Sequence, residues 1–197
     1  STEDLVLRTN SYSNLLIYEY HFVIGRKGIT KEFYLSFEKS DFHHLLGLHK
    51  LKDITQVQRG MRDKIFDQII KDMISIELIK KSSYYEKMEE RIIPLIGLEK
   101  MLDDNHIIFR YNEKIHKFSL IKADYLLEGE ANLMKSYLFL GRRKDNEKEQ
   151  MCRTFFKVGD KDYTQGQPCY TLLKKEKKNL LTGEVIIQYD RLASKKE

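Results

Sequence analysis

The sequence predicts an α+β domain with a mainly antiparallel sheet, on three observations. Apolar residues alternate near both ends of the chain, they recur at three- and four-residue spacing in the middle, and no regular β-α-β alternation links the two patterns. At 197 residues, with 41% hydrophobic and 33% charged residues, the chain can build a proper core and is too apolar to be mainly disordered. A single domain over 1–192 is expected, followed by a disordered tail at 193–197.

The elements follow in order. From Asn14 to Ile24 one alternating set is Leu16, Tyr18, Tyr20, Phe22 and Ile24, as in a half-buried strand. Gly25-Arg26-Lys27-Gly28 supplies a turn, and Phe33, Leu35 and Phe37 alternate on the way back, which completes a hairpin. Ser40 or Asp41 can cap a short helix through His43–Leu48. Met61, Ile65, Ile69, Met73 and Ile76 then mark one face of a helix of roughly five turns. A second helix runs from Ser83 through Tyr85, Met88 and Ile92 until Pro94 interrupts it, and a third through Leu98 and Met101 ends at Asp103-Asp104-Asn105. These apolar stripes read as core and carry no chemistry. Strands return at His106–Tyr111, Lys117–Leu127, Leu133–Leu140, Met151–Phe156, Tyr170–Lys174 and Val185–Tyr189, with turn residues such as Thr182-Gly183-Glu184 between them.

Charge is unevenly placed. Residues 132–197 hold 15 Lys and Arg against 9 Asp and Glu, whereas residues 1–131 hold 20 against 21. The whole excess of the +5 net charge lies in the last third, either as a surface for a polyanion or as a solvated lysine face. No run reaches the roughly 18 apolar residues of a membrane span, and Ser1-Thr2-Glu3-Asp4 is acidic where a secretory signal is basic. A cytoplasmic protein without a membrane partner is expected. Cys152 and Cys169 could bridge each other but read as reduced thiols, too few for a disulfide framework or a cysteine zinc site.

Two groups of residues can carry chemistry. The first is Phe42-His43-His44-Leu45-Leu46-Gly47-Leu48-His49-Lys50-Leu51. On a continuous helix His44 and His49 stand about 140 degrees apart, which argues against a metal pair. An imidazole here is a general acid or base, or else a packing or capping histidine. The second group spans Arg142-Arg143-Lys144, Arg153-Thr154, Tyr163-Thr164, Gln167 and Lys174-Lys175. Cations, hydroxyls and a tyrosine on adjacent strands can surround a phosphodiester, although each also has a structural explanation as an ion-pair partner, a turn aromatic or a solvated strand end. No Gly-x-Gly-x-x-Gly, phosphate-binding Gly-Lys-Ser/Thr loop or Gly-x-Ser-x-Gly elbow occurs, which disfavours nucleotide hydrolysis, dinucleotide chemistry and that class of hydrolase.

Together with Asp124-Tyr125-Leu126-Leu127, Cys152-Arg153-Thr154-Phe155-Phe156, Asp162-Tyr163-Thr164-x-Gly166-Gln167 and Leu172-Leu173-Lys174-Lys175-Glu176-Lys177, the histidine block resembles the phage-barnase, EndoU, colicin and RelE-like nuclease domains (PBECR families) of bacterial phage and mobile-element proteins. The resemblance implies helices on a curved antiparallel sheet and metal-independent RNA cleavage without a cofactor. It makes His44 the general base or acid and Arg153 and Lys174 the phosphate cations, with Thr154 and Tyr163 completing the catalytic group. His49, Lys50, Arg142, Arg143, Gln167 and Lys175 are expected to bind RNA. The helical stretch at about 60–103 reads as an insertion. The expected role is that of an endoribonuclease acting as toxin, defence or counter-defence effector on tRNA or another structured RNA, with an antitoxin or host protein as possible partner. The alternative is a catalytically inactive RNA- or protein-binding module on the same fold, a phage inhibitor of a host machine.

Overall fold

A computed structural model of the chain describes residues 2–104 and 106–193. Helix α1 (Thr2–Leu15) opens it, where a strand start was expected at Asn14. Leu5, Thr9, Tyr12 and Leu15 are buried at spacings of four, three and three, and the Thr9 hydroxyl hides itself by donating to the Leu5 carbonyl. The predicted hairpin follows as β1 (Tyr18–Arg26) and β2 (Ile29–Ser36), with Lys27 and Gly28 at positive φ in a two-residue turn. Helix α2 (Lys39–Leu45) is capped by Glu38 rather than by Ser40 or Asp41: the Asp41 carboxylate accepts the Glu38 N–H at 3.0 Å.

The long helix expected from Met61 to Ile76 is broken. After the single turn α3 (Thr55–Gln58), α4 (Arg62–Ile70) ends where Asp72 takes φ 56°, and α5 (Ile76–Lys80) restarts under a Ser75 cap. Ile65, Ile69 and Ile76 are core, but Met61 and Met73 are exposed. Helix α6 (Glu86–Leu95) carries Pro94 in its last turn, and α7 (Leu98–Asp103) closes the helical layer.

The remaining strands are β3 (Ile107–Arg110), β4 (Tyr125–Ala131), β5 (Met134–Arg143), β6 (Asn146–Lys157), β7 (Cys169–Asn179) and β8 (Val185–Asp190). The strand expected over Lys117–Leu127 forms only from Tyr125; the residues before it are an irregular crossing. Among the described residues the sheet has the order β1-β2-β6-β5-β4-β3-β7-β8, and a further β1–β7 pairing closes it into a barrel. All pairings are antiparallel except β2–β6, so the sheet is mixed and closed rather than an open curved one. The tail beyond residue 193 lies outside the described residues.

Two cores follow from strand alternation. One set of strand residues, including Phe22, Phe33, Leu127, Leu138, Leu140 and Cys152, packs with Phe42, Phe66, Ile92 and Met101 of the helices. The opposite set on β4 and β5, Leu126, Tyr137 and Phe139, is covered by Tyr111, Ile121 and Tyr163 from the irregular crossings. The edge between these two layers is where the helices and the second covering meet β6.

Candidate active site

Phe42, Leu45, Leu46 and Leu48 are fully buried, which leaves His44 of α2 on the side away from the core. Gly47 at φ 83° ends the helix and turns the chain into a short 3-10 segment, Leu48–Lys50. The turn folds His49 back over His44, and the two rings stack with centroids 4.0 Å apart and planes 10° from parallel. The helical-wheel separation expected of them does not apply, because the helix stops between them. Their neighbour His43 is the packing histidine: its Nε2 donates to the Val57 carbonyl at 2.7 Å in the core.

Two arginines meet this stack, each seated over a glycine. Arg91 of α6 lies across Gly47, where an added Cβ would fall 2.9 Å from its Cδ. Its Nη1 donates to the Thr154 hydroxyl on β6 at 2.5 Å. Arg153 is the extra residue of a β-bulge, since Phe139 pairs with Thr154 and Leu140 with Cys152. A bulge re-aims the side chain it carries. The Arg153 side chain lies over Gly141, where a Cβ would collide with it, and donates to the Arg142 carbonyl at 3.0 Å.

These residues line one cleft of about 480 Å³. His44, His49 and Lys50 form one wall, Arg91, Arg153 and Thr154 the floor, and Leu120, Ile121 and Lys122 of the crossing before β4 the other wall. A second depression of about 340 Å³, reaching Arg142 and Lys144, shares Lys122 and Arg153 with it.

No acidic side chain lines the first cleft, although Glu90 lies close enough to act on Lys50 and Arg91. Burial, then Arg91, Arg62 and Arg153, pull the His44 imidazole down to about 4. Burial, then His44 and Arg91, take His49 to about 3. Burial and Arg91 also lower the Lys50 ammonium, and burial lowers the Arg91 guanidinium itself. Both imidazoles are therefore neutral near pH 7 and the cations repel one another. The His49 Nδ1 is buried without a hydrogen-bond partner. Glu90 offsets part of the effect of burial on Lys50 and Arg91, but burial prevails at both, and cations held partly out of water in this way favour a bound anion.

Of the residues singled out in the sequence, His44, His49, Lys50, Arg153 and Thr154 come together here, and Arg142 lines the adjoining depression. Tyr163 packs against Phe139 and Phe156 in the second core, 5.4 and 5.8 Å between ring centroids, with its phenol close enough to act on Arg91. Gln167 clasps two loops, accepting the Asn112 N–H at 2.8 Å and donating to the Asn112 carbonyl.

The other three are engaged elsewhere. Arg143 is nearly buried and bidentate to Asp41, at 3.1 and 2.6 Å. Lys174 pairs with Glu176 at 2.8 Å on β7. Lys175 is buried and donates to the Leu102 and Asp104 carbonyls, so it satisfies the end of α7. Arg91 was not foreseen, because it sits in a helix whose stripe is apolar and nothing in Glu-Glu-Arg marks the third residue. Among the described residues no group of three or more His, Cys, Asp or Glu is placed to hold a metal ion. No described helix is long and apolar enough to cross a membrane.

A family model described as phage-Barnase-EndoU-ColicinE5/D-RelE like nuclease4 (PBECR4) matches residues 8–192. No curated protein and no solved structure matches the chain.

Proposed function

Because the chain belongs to the PBECR4 nuclease family, we propose that it is an endoribonuclease that cleaves RNA by attack of a 2′-hydroxyl on the adjacent phosphorus, without a metal ion. The observation that carries this reading is the all-cationic cleft containing two neutral imidazoles.

The phosphodiester sits over Arg91 and Arg153, whose guanidinium groups suit the geometry of phosphate oxygens. Neutral His44 accepts the 2′-hydroxyl proton as the oxygen bonds to phosphorus. Arg91, Arg153 and Lys50 stabilise the charge of the phosphorane, the task a divalent ion performs in metal nucleases. Lys50, an ammonium lowered by burial and by Arg91, is the proton donor to the departing 5′-oxygen. The products are a 2′,3′-cyclic phosphate and a 5′-hydroxyl. His49 holds the His44 ring from its face, and Thr154 holds Arg91. The substrate is tRNA or another structured RNA, and the role that of a toxin or of a defence or counter-defence effector.

Purified protein is expected to cleave RNA in EDTA and to leave cyclic phosphate ends. His44→Ala and Arg153→Ala each lower the rate by roughly 100-fold or more while the fold is retained. Full cleavage by both variants defeats the site. Salt-sensitive RNA binding by the wild type with no cleavage defeats the catalytic reading and leaves a binding module.

A further inference from the structure

The wall of the cleft opposite the histidines carries a feature that the chemistry above does not use. His116 and Ser119 close a turn, with the Ser119 N–H donating to the His116 carbonyl at 2.9 Å. The chain then runs without regular secondary structure to Asp124. Along it Ser119, Ile121 and Ala123 are partly buried toward the second core, while Phe118, Leu120 and Lys122 face outward. Phe118 is 99% and Leu120 97% exposed. Leu120, Ile121 and Lys122 line the cleft, and Phe118, in the turn two residues before Leu120, stands exposed next to that wall.

The segment is anchored at its base. The His116 Nε2 donates to the Tyr163 carbonyl at 3.1 Å, and its ring stacks near Tyr111. A nearly fully exposed Phe and Leu leave apolar area in water on a fixed support, beside cations that attract phosphate.

We propose that Phe118, with Leu120, is a stacking platform for an unpaired base of the substrate, so that the cleft takes a single-stranded segment such as the loop of a structured RNA. This inference rests on the reading of the cleft as an RNA phosphate site. A base stacked in a helix cannot lay its face on Phe118, whereas a splayed nucleotide offers its π-face to the ring while its phosphate reaches Lys122 and Arg153. An anchored base, an apolar tip and an adjoining cationic floor are the parts such a platform needs.

The test compares binding of a 2′-O-methyl RNA strand of about a dozen nucleotides, which cannot be cleaved by its own 2′-oxygen, with binding of the corresponding duplex, by fluorescence anisotropy. Phe118→Ala is expected to weaken single-strand binding about tenfold and to leave duplex binding unchanged. Phe118→Trp restores the single-strand affinity, and Phe118→Leu does not. Because the side chain is in solvent, the fold survives each change.

Equal weakening of strand and duplex, or no change in either for Phe118→Ala combined with Leu120→Ala, overturns the platform; the latter result assigns the stripe to a protein partner. Cleavage plays no part in this measurement. A wild type that binds single strands through Phe118 but cuts nothing keeps the platform and defeats the nuclease reading. Cleavage that persists unaltered alongside Phe118-independent binding defeats only the platform.

Discussion

Two sets of cations in this molecule differ in what surrounds them. Along β7 every lysine that points inward or sideways has been given an oxygen: Lys174 has Glu176, Lys175 has two carbonyls at the end of α7, and Lys177 lies between Glu99 and Asp103 at 3.0 Å from each. In the cleft, Lys50, Arg91 and Arg153 share a wall and floor without an acidic side chain. Burial alone lowers the Lys177 ammonium, but hydrogen bonds to Asp103 and Glu99 outweigh it and raise it; at Lys50 and Arg91 the charge of Glu90 offsets burial only in part, and both stay lowered. The sequence counts both sets as positive charge. Only the second has electrostatic demand left for a ligand.

The sharpest way to break this contrast is Arg91→Ala. If Arg91 is the proposed phosphate cation, cleavage falls by roughly 100- to 1000-fold in a variant whose melting transition shows it to be folded. Arg91→Lys recovers little of it, because an ammonium cannot hold two phosphate oxygens and Thr154 in one plane. Lys177→Ala has the opposite signature. It leaves Glu99 and Asp103 facing each other and destabilises the fold by about 3 kcal/mol in denaturant unfolding, while RNA affinity per folded molecule is unchanged.

The histidine stack gives a smaller, pH-dependent effect. His44 and His49 have folded values depressed to about 4 and about 3, below the unfolded histidine value of about 6.5. The unfolded chain takes up protons first as pH falls, so the stability they contribute is present above about pH 6.5 and is lost as pH drops toward 4. After discounting for partial exposure, the wild type loses about 1–2 kcal/mol more over this range than a His44→Gln, His49→Gln protein, measured by urea unfolding at each pH. Inorganic phosphate reduces that difference by stabilising the protonated stack.

Lys174→Ala is expected to do least: no measurable change in melting temperature or in cleavage, because it removes one surface ion pair. A large loss of cleavage in this variant would erase the distinction between the two sets.

How much of this was legible follows from the interactions involved. The hairpin and the late strands announce themselves by alternation, because each strand has one face in a core. Helix α1 does not, since its inward stripe includes Thr9, whose polarity is cancelled only by its own carbonyl bond. The break at Asp72 and the reversal at Gly47 are single-residue backbone events that leave the apolar spacing intact, so periodicity runs through them unseen. Burial does alternate from Phe118 to Ala123, yet no described strand pairs with this stretch to complete a ladder. Residue type was enough to nominate His44, His49, Lys50, Arg153 and Thr154. It could not find Arg91, which meets them only across the fold, nor show that Lys174 and Lys175 were already spent on the protein's own oxygens.

The closure of the barrel has a consequence for its dynamics. β2 and β6 meet in parallel over only two residue pairs, Tyr34 with Glu149 and Leu35 with Gln150, and then diverge around a depression bordered by Thr30, Glu32, Glu147 and Lys148. Across the gap the strands are tied by two solvent-exposed ion pairs, Lys31 with Glu147 and Lys148 with Glu32, both at 3.5 Å. Such ties loosen as salt rises. This seam is therefore where the ring breathes: amides at 30–32 and 147–149 exchange with solvent ahead of those in β5, and their lead widens with ionic strength while the later part of β6, paired with β5 and bearing Arg153 and Thr154, stays shut.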